Sequence, residues 1–152
     1  MKKVGLILGS DSDKPVVSNA LEYFDYFGIP VEMKIMSAHR HPEAVQAFAK
    51  NARNDNFGTI VACAGMAAHL AGVIAAYTTL PVIGVPLAGS ALNGVDALYS
   101  IVQMPAGVPV ACMAIGKAGA RNAAVFVAEI FALSNEQIAD KLLQFKKNGC
   151  KL

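Results

Sequence analysis

Between Val4 and Ala114 the chain alternates five times between a short apolar run and a longer amphipathic or alanine-rich stretch, and this alternation limits the possible folds more than any other feature. The short runs have the length of buried strands, and the stretches between them are long enough for crossover helices. Together they are the signature of a parallel sheet covered on both faces. Val4–Leu8 is predicted as the first strand, followed by the loop Gly9–Asp13 and a helix over Pro15–Phe27 that Gly28 ends. Val31–Met36 is the second strand, and the loop Ser37–His41 leads into a helix that begins at Pro42 and runs towards Asn54. Thr59–Cys63 is the third strand, followed by a helix over Ala67–Tyr77. Val82–Val85 is the fourth, followed by an irregular connection and a helix over Val95–Gln103. Val110–Ala114 is the fifth. Two helices close the chain, one over Ala120–Leu133 and one starting at Ser134, where Ser134-Asn135-Glu136-Gln137 reads as a cap and first turn. The expected architecture is a three-layer α/β sandwich, a single domain over residues 1–152. Its strand order is expected to be the flavodoxin-like 2-1-3-4-5, which is a prior, since periodicity does not encode order.

A chain of 152 residues can bury one substantial core, and no repeat or linker divides it. Composition adds one inference: 55% of residues are hydrophobic and only 16% charged, against roughly 25% charged in an ordinary domain. Part of that apolar surplus is expected in contacts between subunits. The formal net charge is +2 with no block of like charges, which argues against a nucleic-acid groove and against a polybasic membrane patch. Gly65, His69, Gly72, Pro81, Gly84 and Pro86 cut the apolar stretch from Thr59 to Ala91 into pieces too short to span a bilayer. The apolar run after Met1-Lys2-Lys3 is too short for a signal peptide, and Gly9–Asp13 stops it before any cleavage site. Cys63, Cys112 and Cys150 have neither disulfide-framework nor zinc spacing, so reduced thiols and a cytoplasmic location are expected.

In parallel sheets of this kind, ligands bind beyond the carboxyl ends of the strands, where loops present N–H groups and helix N-termini. Four such loops carry chemistry here: Gly9–Asp13, Ser37–His41, Ala64–His69 and Pro86–Asn93. The first has hydroxyls suited to a phosphate or a sugar, though Ser and Asp are equally at home as caps of a strand-to-helix turn. The second sets His39 and Arg40 side by side. An imidazole can move a proton near neutral pH, and a guanidinium grips a phosphate through its fork of N–H groups. His41 and His69 raise the question of a metal site, but no carboxylate or thiolate accompanies them at ligand spacing, and none is expected. A phospho-receiver needs an aspartate at the end of the third strand, where this chain reads Val61-Ala62-Cys63-Ala64. An FMN carrier usually stacks its flavin on aromatics, and the loops after strands three and four have none.

Six segments resemble the class I PurE family. These are Gly9-Ser10-x-Ser12-Asp13, Ser37-Ala38-His39-Arg40-x-Pro42, Ala67-Ala68-His69-Leu70, Leu80–Pro86, Gly94–Pro105 and Ala114–Ala124. They run in order over nearly the whole chain. The resemblance implies a flavodoxin-like fold assembled as a homo-octamer. It also implies an enzyme of purine biosynthesis that converts N5-carboxyaminoimidazole ribonucleotide to its 4-carboxy isomer, with no cofactor or metal. It further implies that Ser10 and Asp13 contact the ribose-phosphate, that Ser37 and Arg40 hold the phosphate region, and that His39 is the acid and base. Ala64, Gly65, His69 and Leu70 would shape the pocket around the migrating carboxylate. The chain departs from the family pattern at His41, where Thr is usual, and at Ala62–Met66, where a Gly-rich run is usual. The class II relatives, which carboxylate aminoimidazole ribonucleotide directly, differ in the third and fourth units.

Overall fold

A computed structural model describes residues 1–152. Five strands, β1 (Lys3–Leu8), β2 (Val31–Ile35), β3 (Phe57–Gly65), β4 (Val82–Leu87) and β5 (Ala111–Cys112), form one parallel sheet in the order β2-β1-β3-β4-β5. Side chains of successive strand residues fall on opposite faces. Val4, Leu6, Leu8, Val61, Cys63, Ile83, Val85 and Leu87 face one way; Ile7, Ile60, Ala62, Ala64 and Val82 face the other. The first face is covered by α1 (Lys14–Val17), α2 (Leu21–Phe27), α6 (Lys117–Ala132) and α7 (Glu136–Lys147) through Val17, Phe24, Phe27, Val127, Phe131, Ile138 and Phe145. The second is covered by α3 (Pro42–Asn51), α4 (Leu70–Tyr77) and α5 (Val95–Val102) through Val45, Phe48, Leu70, Ile74 and Ile101. The expected three-layer α/β sandwich and its strand order are both present.

The departures from expectation have local causes. The helix predicted over Pro15–Phe27 is broken into α1 and α2 by a 3-10 turn at Ser18–Ala20, with another 3-10 turn at Asp11–Asp13. The Asn19 side chain donates to the carbonyls of Pro15 and Val16, both at 3.0 Å, and this competes with the regular backbone ladder. Gly28 ends α2 with φ 71°, as predicted. β5 is two residues long where five were expected. Gly84 and Pro86 offer their carbonyls to the N–H groups of Met113 and Gly116. That side of β4 therefore faces β5, and Pro86 has no N–H to return, so the ladder stops. The helix expected from Ala67 begins at Leu70, and α6 begins one turn before Ala120, after Gly116. Asn135 rather than Ser134 caps α7, its Oδ1 accepting the Ile138 N–H at 3.2 Å.

The register places the site. Leu8 is level with Ile35 on one side and with Cys63 on the other, and Ala64 is level with Pro86. The loops leaving β1, β2, β3 and β4 therefore emerge at one height. The chain turns to opposite sides of β1 to reach β2 and β3, so the sheet order reverses there and leaves a crevice between the two diverging loops.

Candidate active site

Gly9 opens the first loop by donating its N–H to the Cys63 carbonyl at 3.0 Å, which ties the end of β1 to β3. Ser10 then caps the 3-10 turn in a reciprocal box. Its Oγ accepts from the Ser12 N–H at 3.4 Å and from the Ser12 hydroxyl at 2.9 Å, while the Asp13 carboxylate accepts the Ser10 N–H at 3.0 Å. The capping role and the ligand-facing role are compatible, because Ser10, Ser12 and Asp13 all line the same cavity.

Partial burial raises the Asp13 carboxyl above its ordinary range, opposed by the bond from the Ser10 N–H. A raised carboxyl binds its proton more tightly in the folded chain. Its ionised form therefore costs stability at neutral pH, and that cost disappears as pH falls through the folded value. Asp13→Asn is expected to melt no lower than the wild type at pH 7, with the difference between them shrinking towards pH 3 to 4. Thermal melts of the two proteins across pH check this.

The second loop is held by Ser37, whose Oγ accepts the N–H groups of His39 and Arg40, both at 3.3 Å. The loop closes where the His41 N–H donates to the Ser37 carbonyl at 2.8 Å, and His41 Nδ1 accepts the Ser37 N–H at 3.4 Å. His41 is thereby committed to the start of α3 and does not line the cavity. This turn projects His39 towards the third loop, where His69 occupies the N-cap of α4. His39 Nε2 lies 2.8 Å from His69 Nδ1, with the ring centroids 4.9 Å apart and the planes at 79°. At that separation the two nitrogens share one proton, since two N–H groups cannot point at each other across it. Arg40 forms no ion pair within the chain, and its guanidinium stands exposed at the rim.

These loops enclose a cavity of about 550 Å³, a size usual for a small-molecule site. Every residue expected from the sequence to carry the reaction or to contact substrate lines it: Ser10, Asp13, Ser37, His39, Arg40, Ala64, Gly65, His69 and Leu70. Ser12, Met66, Ala88 and Gly89 line it as well. Ser12 and Met66 stand out in the sequence, one within the first motif and the other as a departure from the family pattern, whereas Ala88 and Gly89 are identified only through the loop that holds them. The left-handed backbone of Met66, φ 56°, belongs to the folded chain. Beneath the cavity Cys63 is fully buried, and burial together with the Asp13 charge pushes its thiol far above the ordinary range. It is therefore no nucleophile. No three His, Cys, Asp or Glu side chains gather as a metal ion would require, and no helix is long and apolar enough to cross a membrane.

Residues 3–151 match the family described as AIR carboxylase. An N5-carboxyaminoimidazole ribonucleotide mutase of Thermotoga maritima is 50% identical over 147 residues, 97% of this chain and 85% of the relative. A mutase of the same name from Pseudomonas aeruginosa is 51% identical over 95% of this chain and 89% of the relative. The crystal structure of Treponema denticola PurE superposes with a TM-score of 0.88 at 26% identity, covering 99% of this chain and 92% of that one. With the sequence match running almost from end to end and the fold matching throughout, the chain belongs to the AIR carboxylase family.

Proposed function

We propose that this protein is an N5-carboxyaminoimidazole ribonucleotide mutase of purine biosynthesis, an isomerase that moves a carboxylate from the exocyclic nitrogen to C4 of the aminoimidazole ring. Relatives about half identical over nearly the whole chain carry that name. The structural observation that carries the reading is the His39–His69 pair, 2.8 Å apart, in a cleft that also presents an unpaired Arg40. The guanidinium suits a phosphate, and the imidazole pair suits proton transfer.

The chemistry follows from these positions. Arg40 holds the substrate phosphate as a charge-assisted fork, and Ser37 orders the loop that carries Arg40 through its bonds to the backbone. Ser10 and Asp13 offer an acceptor and a carboxylate to the ribose hydroxyls. His39 in its protonated form gives a proton to the carbamate nitrogen. The N–C bond then breaks, its electron pair stays on nitrogen, and carbon dioxide and the neutral amine remain in the cleft. The electron-rich C4 attacks the carbon dioxide and forms the C–C bond. His39, now neutral, takes the C4 proton, which restores the aromatic ring and its own starting charge. The cycle consumes no proton and needs no external carboxylate donor. His69, sharing a proton with His39, fixes which ring nitrogen faces the substrate and stabilises the charged imidazole before the first transfer and after the second.

We also place the working protein in a homo-oligomer, with the octamer as the assembly the resemblance favours. Support comes from α5, where Val95, Tyr99 and Val102 recur at helical spacing and are 43%, 66% and 47% exposed.

The phosphate assignment is tested by a cycle over protein and substrate. Arg40→Ala is expected to lower kcat/KM for the ribonucleotide by about 100-fold, and the phosphate-free riboside to lose a similar factor with the wild type, the size of one broken charge-assisted contact. Combining the two should cost little more than either alone, because each removes one half of the same contact. Losses that multiply would put the phosphate elsewhere and overturn the orientation of substrate described here.

A further inference from the structure

Apart from Met66 and Leu70, no residue lining the cleft has an apolar side chain larger than alanine. Leu70 belongs to the core and is 2% exposed, whereas Met66 is 62% exposed. Met66 is therefore the one sizeable apolar group free to move at the rim. Its backbone is left-handed, with φ 56°, a conformation disfavoured for any residue with a Cβ and seldom kept without compensation. It sits between Gly65, which ends β3, and His69, which contacts His39. The remaining rim is polar or small: Ser10, Ser12, Arg40 and Gly89 offer water several partners and offer an apolar gas none. His39 and His69 are themselves exposed in the free chain.

The mutase reading, on which this inference rests, requires carbon dioxide to stay beside C4 after the N–C bond breaks. Carbon dioxide is uncharged and donates no hydrogen bond, so polar rim groups retain it poorly. It must be confined by apolar contact and by exclusion of water. We propose that Met66 is the cover: its flexible thioether chain folds over the bound aminoimidazole and keeps the released carbon dioxide in the cleft. An unbranched side chain with three rotatable bonds suits this, since it can settle on an irregular ligand surface and leave again with the product. Met66 is on this account a positioning residue that sets how often a turnover is wasted, and it takes no part in proton transfer.

The test uses substrate carrying carbon-13 in its N5-carboxylate, in unlabelled bicarbonate buffer with carbonic anhydrase, and measures the label kept in the 4-carboxy product at low conversion. Wild type is expected to keep nearly all of it. Met66→Gly relieves the left-handed backbone, so loss of the fold is not the concern. In that variant unlabelled product and decarboxylated aminoimidazole ribonucleotide are expected to rise by about tenfold, the effect of losing roughly half the burial of one apolar side chain. Met66→Leu keeps the apolar cover and is expected to retain label as the wild type does. If Met66→Gly forms product and retains label as fully as the wild type, or if Met66→Leu leaks as freely as Met66→Gly, the cover is refuted while the mutase reading stands. If the wild type forms no 4-carboxy product, the mutase reading itself fails and the inference goes with it.

Discussion

Replacing His39 with Asn is expected to leave a folded protein whose turnover is lower by about three to four orders of magnitude, the upper part of the range for removing a general acid–base group. The loss is large because, in the proposed mechanism, one imidazole performs both proton transfers. Asn can neither protonate the carbamate nitrogen nor accept the C4 proton. His39 is exposed, and its ring is hydrogen-bonded only to His69, so the melting temperature should move by no more than about 2 °C, as for surface substitutions generally. Binding of the ribonucleotide should persist, because Arg40, Ser10 and Asp13 remain in place. Steady-state rates and a binding isotherm on the same preparation separate the two effects. A fall in kcat with Kd nearly unchanged is the expected pattern.

The second large effect is on stability. A Cβ built at Gly119 would fall on the Ala114 carbonyl oxygen, a backbone atom that cannot swing aside as a side-chain tip can. Gly119 lies in the first turn of α6, whose Ala120, Ala123, Ala124 and Val127 are buried against the sheet. Gly119→Ala must therefore lift the start of that helix or push back the segment after β5. The expected cost is about 3 kcal/mol or more, beyond the usual penalty for overpacking because the obstruction is backbone. For a chain of this length that corresponds to a drop of roughly 6 to 12 °C in melting temperature. Gly107, which has open space around the same hypothetical atom, sits at φ 94° and is a poorer control than the helical position Ala118→Ser, which changes the surface without touching the Ala114 carbonyl. A scan of Gly119→Ala beside Ala118→Ser isolates the close approach from any general sensitivity of the helix start.

The parts of this molecule that were legible in advance are those controlled by local periodicity. Val4, Leu6 and Leu8 alternate with Ile7 in the sequence and divide between the two faces of the sheet in the structure. The loops expected to hold the chemistry are the loops that line the cleft, because strand direction alone decides which ends of a parallel sheet carry them. What was not legible depends on groups far apart in sequence or on competition within a turn. Nothing near Pro15 announces that Asn19 will bond back to it, and Pro86 shortens β5 only through a partner strand some 25 residues later. The His39–His69 contact joins residues 30 apart. It exists because the β1–β3 pairing and the Ser37 turn aim two loops at each other, and neither condition is written at either histidine. Met66 was visible as a departure from the family pattern, but its left-handed backbone and its exposure belong to the folded chain.

Asp13 and Met66 show the same compromise from two sides. In the proposed mechanism the ionised Asp13 is partly desolvated where it would meet a sugar, and Met66 holds a disfavoured backbone where it would meet carbon dioxide. Both features lower the stability of the free protein, as buried charge and strain at functional sites often do.

The most direct test of the central claim is to incubate the purified protein with N5-carboxyaminoimidazole ribonucleotide, without ATP and without added bicarbonate, beside the His39→Asn variant, and to follow the 4-carboxy isomer by chromatography. Formation of that isomer by the wild type, and not by the variant, is the predicted result. A wild type that leaves this substrate unchanged, yet carboxylates aminoimidazole ribonucleotide once bicarbonate is supplied, would contradict the transfer of carboxylate within the site.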